Sequence, residues 1–323
     1  MKIAFLLYPT SKVKVDEDSS FWIMRELKRR EHQVFYFESK HLFWTEGEPY
    51  AFLTQAKLDR TKGYLPSSPA KIASPLTSLD CIFIRKEPPF DISYLYALQI
   101  LNEIKKKVFI LNDPQGIALS NEKLLSAVFK RFAPESMVTE DMELAVKFIK
   151  KLKSRAVIKP LDEKGGTGIF AAQVADRDLP SRLNEATRSG QLKIMIQRYV
   201  PVERYGDKRI LILNGKILGA FLRKPSAKDF RANLSVGGTM HRASVSQPDR
   251  KLVEAMAPEF VARGLYFVGI DVIGRFLTEV NFTSPAGIPE INYFNKTKLE
   301  KEVADFIEWA VRKRSLTYKK RTL

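Results

Sequence analysis

Apolar positions in the first part of the chain fall into short runs and helical stripes that follow one another. Lys2 to Tyr8 (KIAFLLY) is an apolar run from Ile3 onward that stops at Pro9, the pattern of a parallel strand buried on both faces. Ser19 to Arg30 then carries apolar residues at helical spacing. Gln33 to Phe37, Cys81 to Arg85 and Val108 to Leu111 read as further strands, with a helix at Ile92 to Glu103, so the opening predicts an open α/β sheet. Lys40 to Pro75 is polar and punctuated by proline, an excursion from that sheet.

The pattern changes at Asn121-Glu122-Lys123, where a helix begins, followed by a helix at Asp141 to Lys151 and strands at Ala156 to Leu161 and Ile169 to Val174 with a glycine-rich loop between them. Past Ile194 hairpin signals dominate. Asn214-Gly215 separates Arg209 to Leu213 from Lys216 to Leu222 and supplies the positive φ angles of a tight turn. A helix at Lys251 to Arg263, strands at Phe267 to Val272 and Phe276 to Asn281, and a helix near Leu299 to Arg312 complete the set. No repeat or low-complexity tract appears.

The 323 residues, 45% hydrophobic and 28% charged, have the composition of a globular protein with room for two or three domains. No apolar run approaches the roughly 20 residues that span a bilayer, and no signal peptide is evident, so no membrane partner and a cytoplasmic location are expected. The single Cys81 lies in an apolar run, where a buried strand residue is expected rather than a nucleophile. His32, His41 and His241 are too scattered for zinc, and no Ser or Cys triad has an anchor. A net charge of +17 points to anionic ligands or partners. Part of it sits at Arg312, Lys313, Arg314, Lys319, Lys320 and Arg321; the rest is dispersed without a Lys/Arg-aromatic repeat, so a nucleic-acid partner is not expected.

Three segments carry chemistry. Val157 to Ile169 places Lys159 at a strand end before Gly165-Gly166-Thr167-Gly168, a loop whose backbone N–H groups can cradle phosphate; a bare hairpin tip remains the alternative. It lacks both the phosphate-loop and the dinucleotide fingerprints and leads into a strand. In Val268 to Asn281, period-two alternation puts Glu279 and Asn281 on one face, and Asp271 joins them if the register pairs 271 with 279. Three hard oxygen donors suit Mg²⁺, with Mn²⁺ as an alternative ion, although a polar outer sheet face would give the same pattern. Asp207-Lys208-Arg209, Arg223 and Arg231 to Gly238 add guanidinium forks for carboxylate or phosphate, and Arg85 to Asp91 lies at a strand's carboxyl end, where open α/β sheets place ligands.

The order Asn121-Glu122-Lys123, Lys159-Pro160-Leu161-Asp162 with Gly165-Gly166, Gln197 to Pro201, Asp207-Lys208-Arg209, Arg231-x-Asn233-Leu234 with Gly237-Gly238, Gly269-x-Asp271 and Thr278-Glu279-x-Asn281-x-Thr283-Ser284-Pro285 resembles bacterial glutathione synthetase end to end, including Arg85-Lys86-x-Pro88-Pro89-Phe90-Asp91. The resemblance implies the ATP-grasp fold, α/β and α+β, with an N-terminal Rossmann-like (pre-ATP-grasp) substrate domain over 1–120, a central lid over 121–198 and a C-terminal catalytic part over 199–323. It implies that Lys123 and Lys159 bind phosphates, Gly165 and Gly166 close over the γ-phosphate, Tyr199 and Val200 meet adenine through the backbone hinge, Gln197 is among the nucleotide-binding residues, and Asp207 lies near the ribose. Asp271, Glu279 and Asn281 would hold Mg²⁺; Arg209, Arg231 and Asn233 would face the reacting centre; Arg85, Arg223 and Ser284 would hold the peptide. The implied reaction is ATP-dependent ligation of γ-glutamylcysteine to glycine through an acyl phosphate, by a homo-oligomer.

Glu163 and Lys164 replace the Gly and Met usual in that family's loop, Thr167 and Gly168 replace its small residues, and Pro289 replaces its arginine before Glu290. The net charge is also high for the family. Pro289 and the basic surface leave open a carboxylate-amine ligase with another amino acid or peptide, and a nucleic-acid-associated scaffold without catalysis is the reading from a different class.

Overall fold

The structure, a computed structural model, describes residues 1–12, 14–57, 73–226, 229–233 and 237–319. Part of the expected excursion, positions 234–236 of the arginine-glycine segment, and Lys320 and Arg321 lie outside the described residues. The N-terminal elements are β1 (Lys2–Leu7), α1 (Ser19–Arg29), β2 (Gln33–Glu38), β3 (Leu42–Thr45), β4 (Glu48–Phe52), β5 (Thr54–Gln55), β6 (Ala73–Pro75), β7 (Cys81–Arg85), α2 (Ile92–Asn102), β8 (Phe109–Leu111) and α3 (Pro114–Ala118). They build the predicted sheet, in the order β5-β2-β1-β7-β8, parallel except at the β5 edge. Strands β3, β4 and β6 form a small antiparallel sheet beside it. Asp18, Asp91 and Asp113 cap α1, α2 and α3 by accepting their first free N–H groups.

Helix α4 (Glu122–Val128) follows, with Leu125 buried in the same cluster as Ile84 and Ile270, and then a middle unit: β9 (Ser136–Thr139), α5 (Met142–Leu152), β10 (Ala156–Pro160), β11 (Phe170–Ala172), α6 (Leu179–Ala186) and β12 (Ile194–Arg198). Its antiparallel sheet runs β11-β10-β12-β9. The last elements are α7 (Val202–Tyr205), β13 (Asp207–Leu213), β14 (Lys216–Lys224), β15 (Thr239–Arg242), α8 (Gln247–Ala262), β16 (Phe267–Ile273), β17 (Phe276–Asn281), α9 (Ile288–Asn295) and α10 (Leu299–Lys319). The antiparallel order is β15-β14-β13-β16-β17, and Asn214-Gly215 makes the β13–β14 turn with φ of 48° and 76°. Helix α8 starts earlier than Lys251 because Ser246 and Asp249 form a capping box around a polar first turn. Helix α10 continues beyond Arg312 to Lys319.

Core packing divides the molecule in a way that matters for the site. Ile84 of the N-terminal sheet and Leu98 of α2 pack with Ile210, Phe260 and Ile270, and Phe5 and Phe83 pack with Leu211, Phe267, Val303 and Ile307 on the other side. Each such fully buried side chain contributes about 1.5–3 kcal/mol, so the N- and C-terminal sheets form one base. Buried Asn112 reinforces it, donating to the carbonyls of Phe267 and Phe282 at 2.8 Å each. The middle unit has a separate core of Ala145, Ile149, Leu152, Ile158, Leu183 and Ile196.

Candidate active site

Strand alternation assembles the site from both bodies. In β10, Ile158 points into the middle unit's core while Val157 and Lys159 take the other face; in β12, Ile194 and Ile196 go inward and leave Gln197, the register partner of Val157, on the same cleft face as Lys159. In β16, Ile270 and Val272 join the base core, so Asp271 and Ile273 face the cleft. The register pairs Asp271 with Glu279 and Gly269 with Asn281, which sets the three oxygen-bearing side chains on one face as the alternation predicted. Asp207 lies opposite Arg223 across β13 and β14.

Two compartments result. The inner, a cleft of about 770 Å³, has a polar end of Lys123, Lys159, Gln197, Asp207, Asp271 and Glu279, roofed by Gly165, Gly166, Arg231 and Asn233. Its other end is apolar, with Val157, Ile169, Val200, Val202, Phe230 and Ile273 beside Tyr199. The outer, about 820 Å³, contains Arg209, Arg223, Asn281, Ser284 and Glu290. Lys164, Gly165, Asn233 and Glu279 border both, so the compartments meet at the glycine loop and Glu279.

Charges at this junction are matched in pairs. Lys159 Nζ donates to Gln197 Oε1 at 2.9 Å and to the Thr278 carbonyl at 3.1 Å; burial lowers its pKa, against the pull of Glu279. Lys123 Nζ donates to the Glu163 carbonyl at 2.5 Å and lies 3.5 Å from Glu279. Arg209 grips Asp271 with Nε and Nη2 at 2.5 and 3.1 Å, Arg223 reaches it at 2.9 Å, and Asn281 Nδ2 adds 3.3 Å. Burial by itself would raise the Asp271 carboxyl, but the two guanidinium groups hold it well below the usual carboxylate range. Burial pushes Asp207 up to about 6 despite its 2.6 Å pair with Arg223. Arg231 pairs with Asp229 and donates to the Gly166 carbonyl at 2.8 Å.

A divalent cation fits this face by the chemistry of its donors, all hard oxygens. Only two of the three are carboxylates, and no cluster of three His, Cys, Asp or Glu occurs among the described residues. That composition matches an ion completed by waters and phosphate oxygens. Asp271 is committed to arginines, so Glu279 and Asn281 are the donors that border the outer compartment.

The structure places Arg85, expected at the substrate, outside both compartments. It ends a strand buried along its whole length, is 1% exposed, donates from Nε to Ser20 Oγ at 2.9 Å, and stacks over the Phe83 and Phe267 rings. Cys81 is buried, as expected. Period two from Lys159 and Asp271 would have found Val157 and Ile273, which were not singled out. Phe230, in a loop, gave no periodic signal. Glu122, which accepts from the Phe282 and Thr283 amides at 2.8 and 2.9 Å and so fixes the chain leaving β17, was noted only within a motif. Glu290 closes the outer compartment with a buried, unpartnered Oε2.

Comparison with known proteins places this geometry. Residues 1–118 match the family model of the prokaryotic glutathione synthetase N-terminal domain, and 122–296 that of its ATP-grasp domain. The glutathione synthetase of Thermosynechococcus vestitus is 36% identical over 313 residues, covering 94% of this chain and 98% of its own, and that of Nitrosomonas europaea is 37% identical over 315 residues, covering 95% and 98%. Among solved structures, the D-alanine–D-alanine ligase from Bacillus anthracis complexed with ATP superposes with a TM-score of 0.62 at 13% identity, covering 98% of this chain and 99% of its own, a likeness of fold.

Proposed function

The chain belongs to the prokaryotic glutathione synthetase family, and on that premise we propose how its residues carry out ATP-dependent ligation of γ-glutamylcysteine to glycine. The observation that carries the assignment is the junction itself, where the glycine loop and Glu279 border a two-ended inner cleft and an arginine-lined outer one. Adenine occupies the apolar end. The Tyr199 N–H is already taken by the Arg155 carbonyl at 2.9 Å, so hinge contacts fall to the Tyr199 carbonyl and Val200. Asp207 borders the ribose region, and Lys123 and Lys159 exchange their carbonyl partners for phosphate oxygens.

Glu279 and Asn281, with Asp271 behind them, would hold Mg²⁺ or Mn²⁺, which supplies charge neutralisation at the transferring phosphoryl group. Arg209 and Arg223, held rigid by Asp271 and Asp207, present fixed positive charge where the substrate carboxylate becomes an acyl phosphate. Ser284 contributes a hydroxyl to the same wall. Gly165, Gly166, Arg231 and Asn233 form the roof over the γ-phosphate. The glycine amine then displaces phosphate to form the amide, and no protein nucleophile is required.

Pro289 favours a second reading for the acceptor. Pro289 and Glu290 also border a groove between α1 and α9, and Glu290 borders the outer compartment as well, which makes room for a larger amine or peptide. One experiment tests both: the protein with ATP, magnesium and γ-glutamylcysteine is offered glycine or each other amino acid, and phosphate and amide product are measured. Glycine-dependent amide formation is expected. Phosphate release with none of the amines would overturn the ligase reading, and preference for another amine would shift it to the second.

A further inference from the structure

Among the described residues, four contacts that tie down the glycine loop differ in what a nucleotide would do to them. The Glu163 carbonyl accepts from Lys123 Nζ and the Gly166 carbonyl from Arg231 Nη1. Both donors line the inner cleft, so phosphate oxygens would compete for them. The other two ties reach across to the N-terminal domain. The Phe90 amide donates to the Asp162 carbonyl at 3.1 Å, and the Lys164 ammonium pairs with the Glu87 carboxylate, with the Tyr8 ring centroid 5.6 Å from Lys164 Nζ. The Lys164–Glu87 tie joins the loop to that domain through two side chains. Lys164 borders both compartments, and Glu87 borders the outer one.

We propose that Lys164 is a positioning residue for the ligation: by pairing with Glu87 it holds the glycine loop shut over the junction of the two compartments when bound nucleotide has drawn Lys123 and Arg231 away from the loop. This rests on the ligase reading above. A shut loop keeps water from an acyl phosphate waiting for its amine, so the pair governs how much ATP is spent without product. The side chains are 46% and 27% exposed, which limits the effect to that of a surface ion pair, about two- to fivefold in the ratio of closed to open loop.

The test uses the full chain with Lys164→Met, Glu87→Gln, and the reversed pair Lys164→Glu with Glu87→Lys. Two quantities are read: the phosphate released in excess of amide formed, per amide, at saturating substrates, and deuterium exchange of the amides of residues 163–168 with ADP bound. Each single variant is expected to raise both about two- to fivefold, and the reversed pair to return both toward wild type. Single variants that match wild type in both, or a reversed pair no better than the singles, would overturn the proposal. Wild-type protein that forms no amide would instead sink the ligase reading, and the exchange measurement still reports on the tie in that case.

Discussion

Asp271 accepts from Arg209, Arg223 and Asn281, so its charge is spent on two guanidinium groups before any ligand arrives. Asp271→Ala would leave two arginines, each less than a tenth exposed, without their shared counter-charge, at a cost of about 3–5 kcal/mol. Loss of activity in that variant would therefore report on folding as much as on metal. Glu279 is the cleaner probe. Its side chain is 24% exposed, and its repulsion, after burial, helps to raise the carboxyl of the neighbouring Glu122. Glu279→Gln relieves that repulsion but also removes the charge 3.5 Å from buried Lys123, so the two effects oppose and the thermal midpoint should move little while amide formation falls below detection; ADP release at the wild-type rate would contradict a metal role. Lys159→Ala removes a buried charge already satisfied by Gln197 and a carbonyl, and should weaken ATP binding about tenfold or more, as loss of a charged hydrogen bond does, which titration calorimetry can measure.

At the scale of elements, strands and the helices with a clear apolar stripe were legible in the sequence, because burial on one or both faces writes itself as period two, period 3.6 or a continuous run. Thus β1 followed from Ile3 to Leu7 and the shared face of Glu279 and Asn281 from period two, while the pairing of Asp271 with Glu279, on which the third oxygen depended, is supplied by the structure. What stayed hidden were elements whose ends are made by polar caps, such as the first turn of α8, and contacts between distant segments, such as the burial of Arg85 under Ser20. Such a contact also joins α1 to α10: Glu26 pairs with Arg29 and Arg30, and Arg30 reaches Asp305 and Glu308 of α10. Hydrogen bonding from Arg29 leads the causes that lower the Glu26 carboxyl to about 2, with Arg30 adding to it and burial opposing. A depressed carboxyl contributes stability that is complete above the ordinary glutamate range and disappears as pH falls through about 2. Glu26→Gln should therefore cost on the order of 1–2 kcal/mol at neutral pH, discounted for solvent around Arg29, and the difference from wild type should close between pH 4.5 and 2 in urea titrations.

For the whole molecule, charge and core tell different stories. Of the cleft cations, Lys123, Arg209, Arg223 and Arg231 are matched by Glu279, Asp271, Asp207 and Asp229, so most of the net +17 is carried elsewhere, partly where Arg314 of α10 donates to the Lys105 carbonyl. Packing, by contrast, bears directly on function. The middle unit keeps a core of its own, while the N- and C-terminal sheets share theirs, yet the inner cleft is lined from both bodies by Val157, Lys159 and Gln197 on one side and Asp207, Asp271 and Glu279 on the other. A ligand in that cleft binds only when the two bodies are both folded and apposed, and mass action then couples their stabilities. Without nucleotide, amides of β10, β11 and β12 should exchange with solvent through an opening that leaves β13 and β16 protected. With ATP at 100 times its dissociation constant, protection of the middle unit should rise by about 2.7 kcal/mol toward that of the base. Equal protection of the two bodies in the free protein, unchanged by ATP, would mean that they unfold as one and that the cleft does not join them.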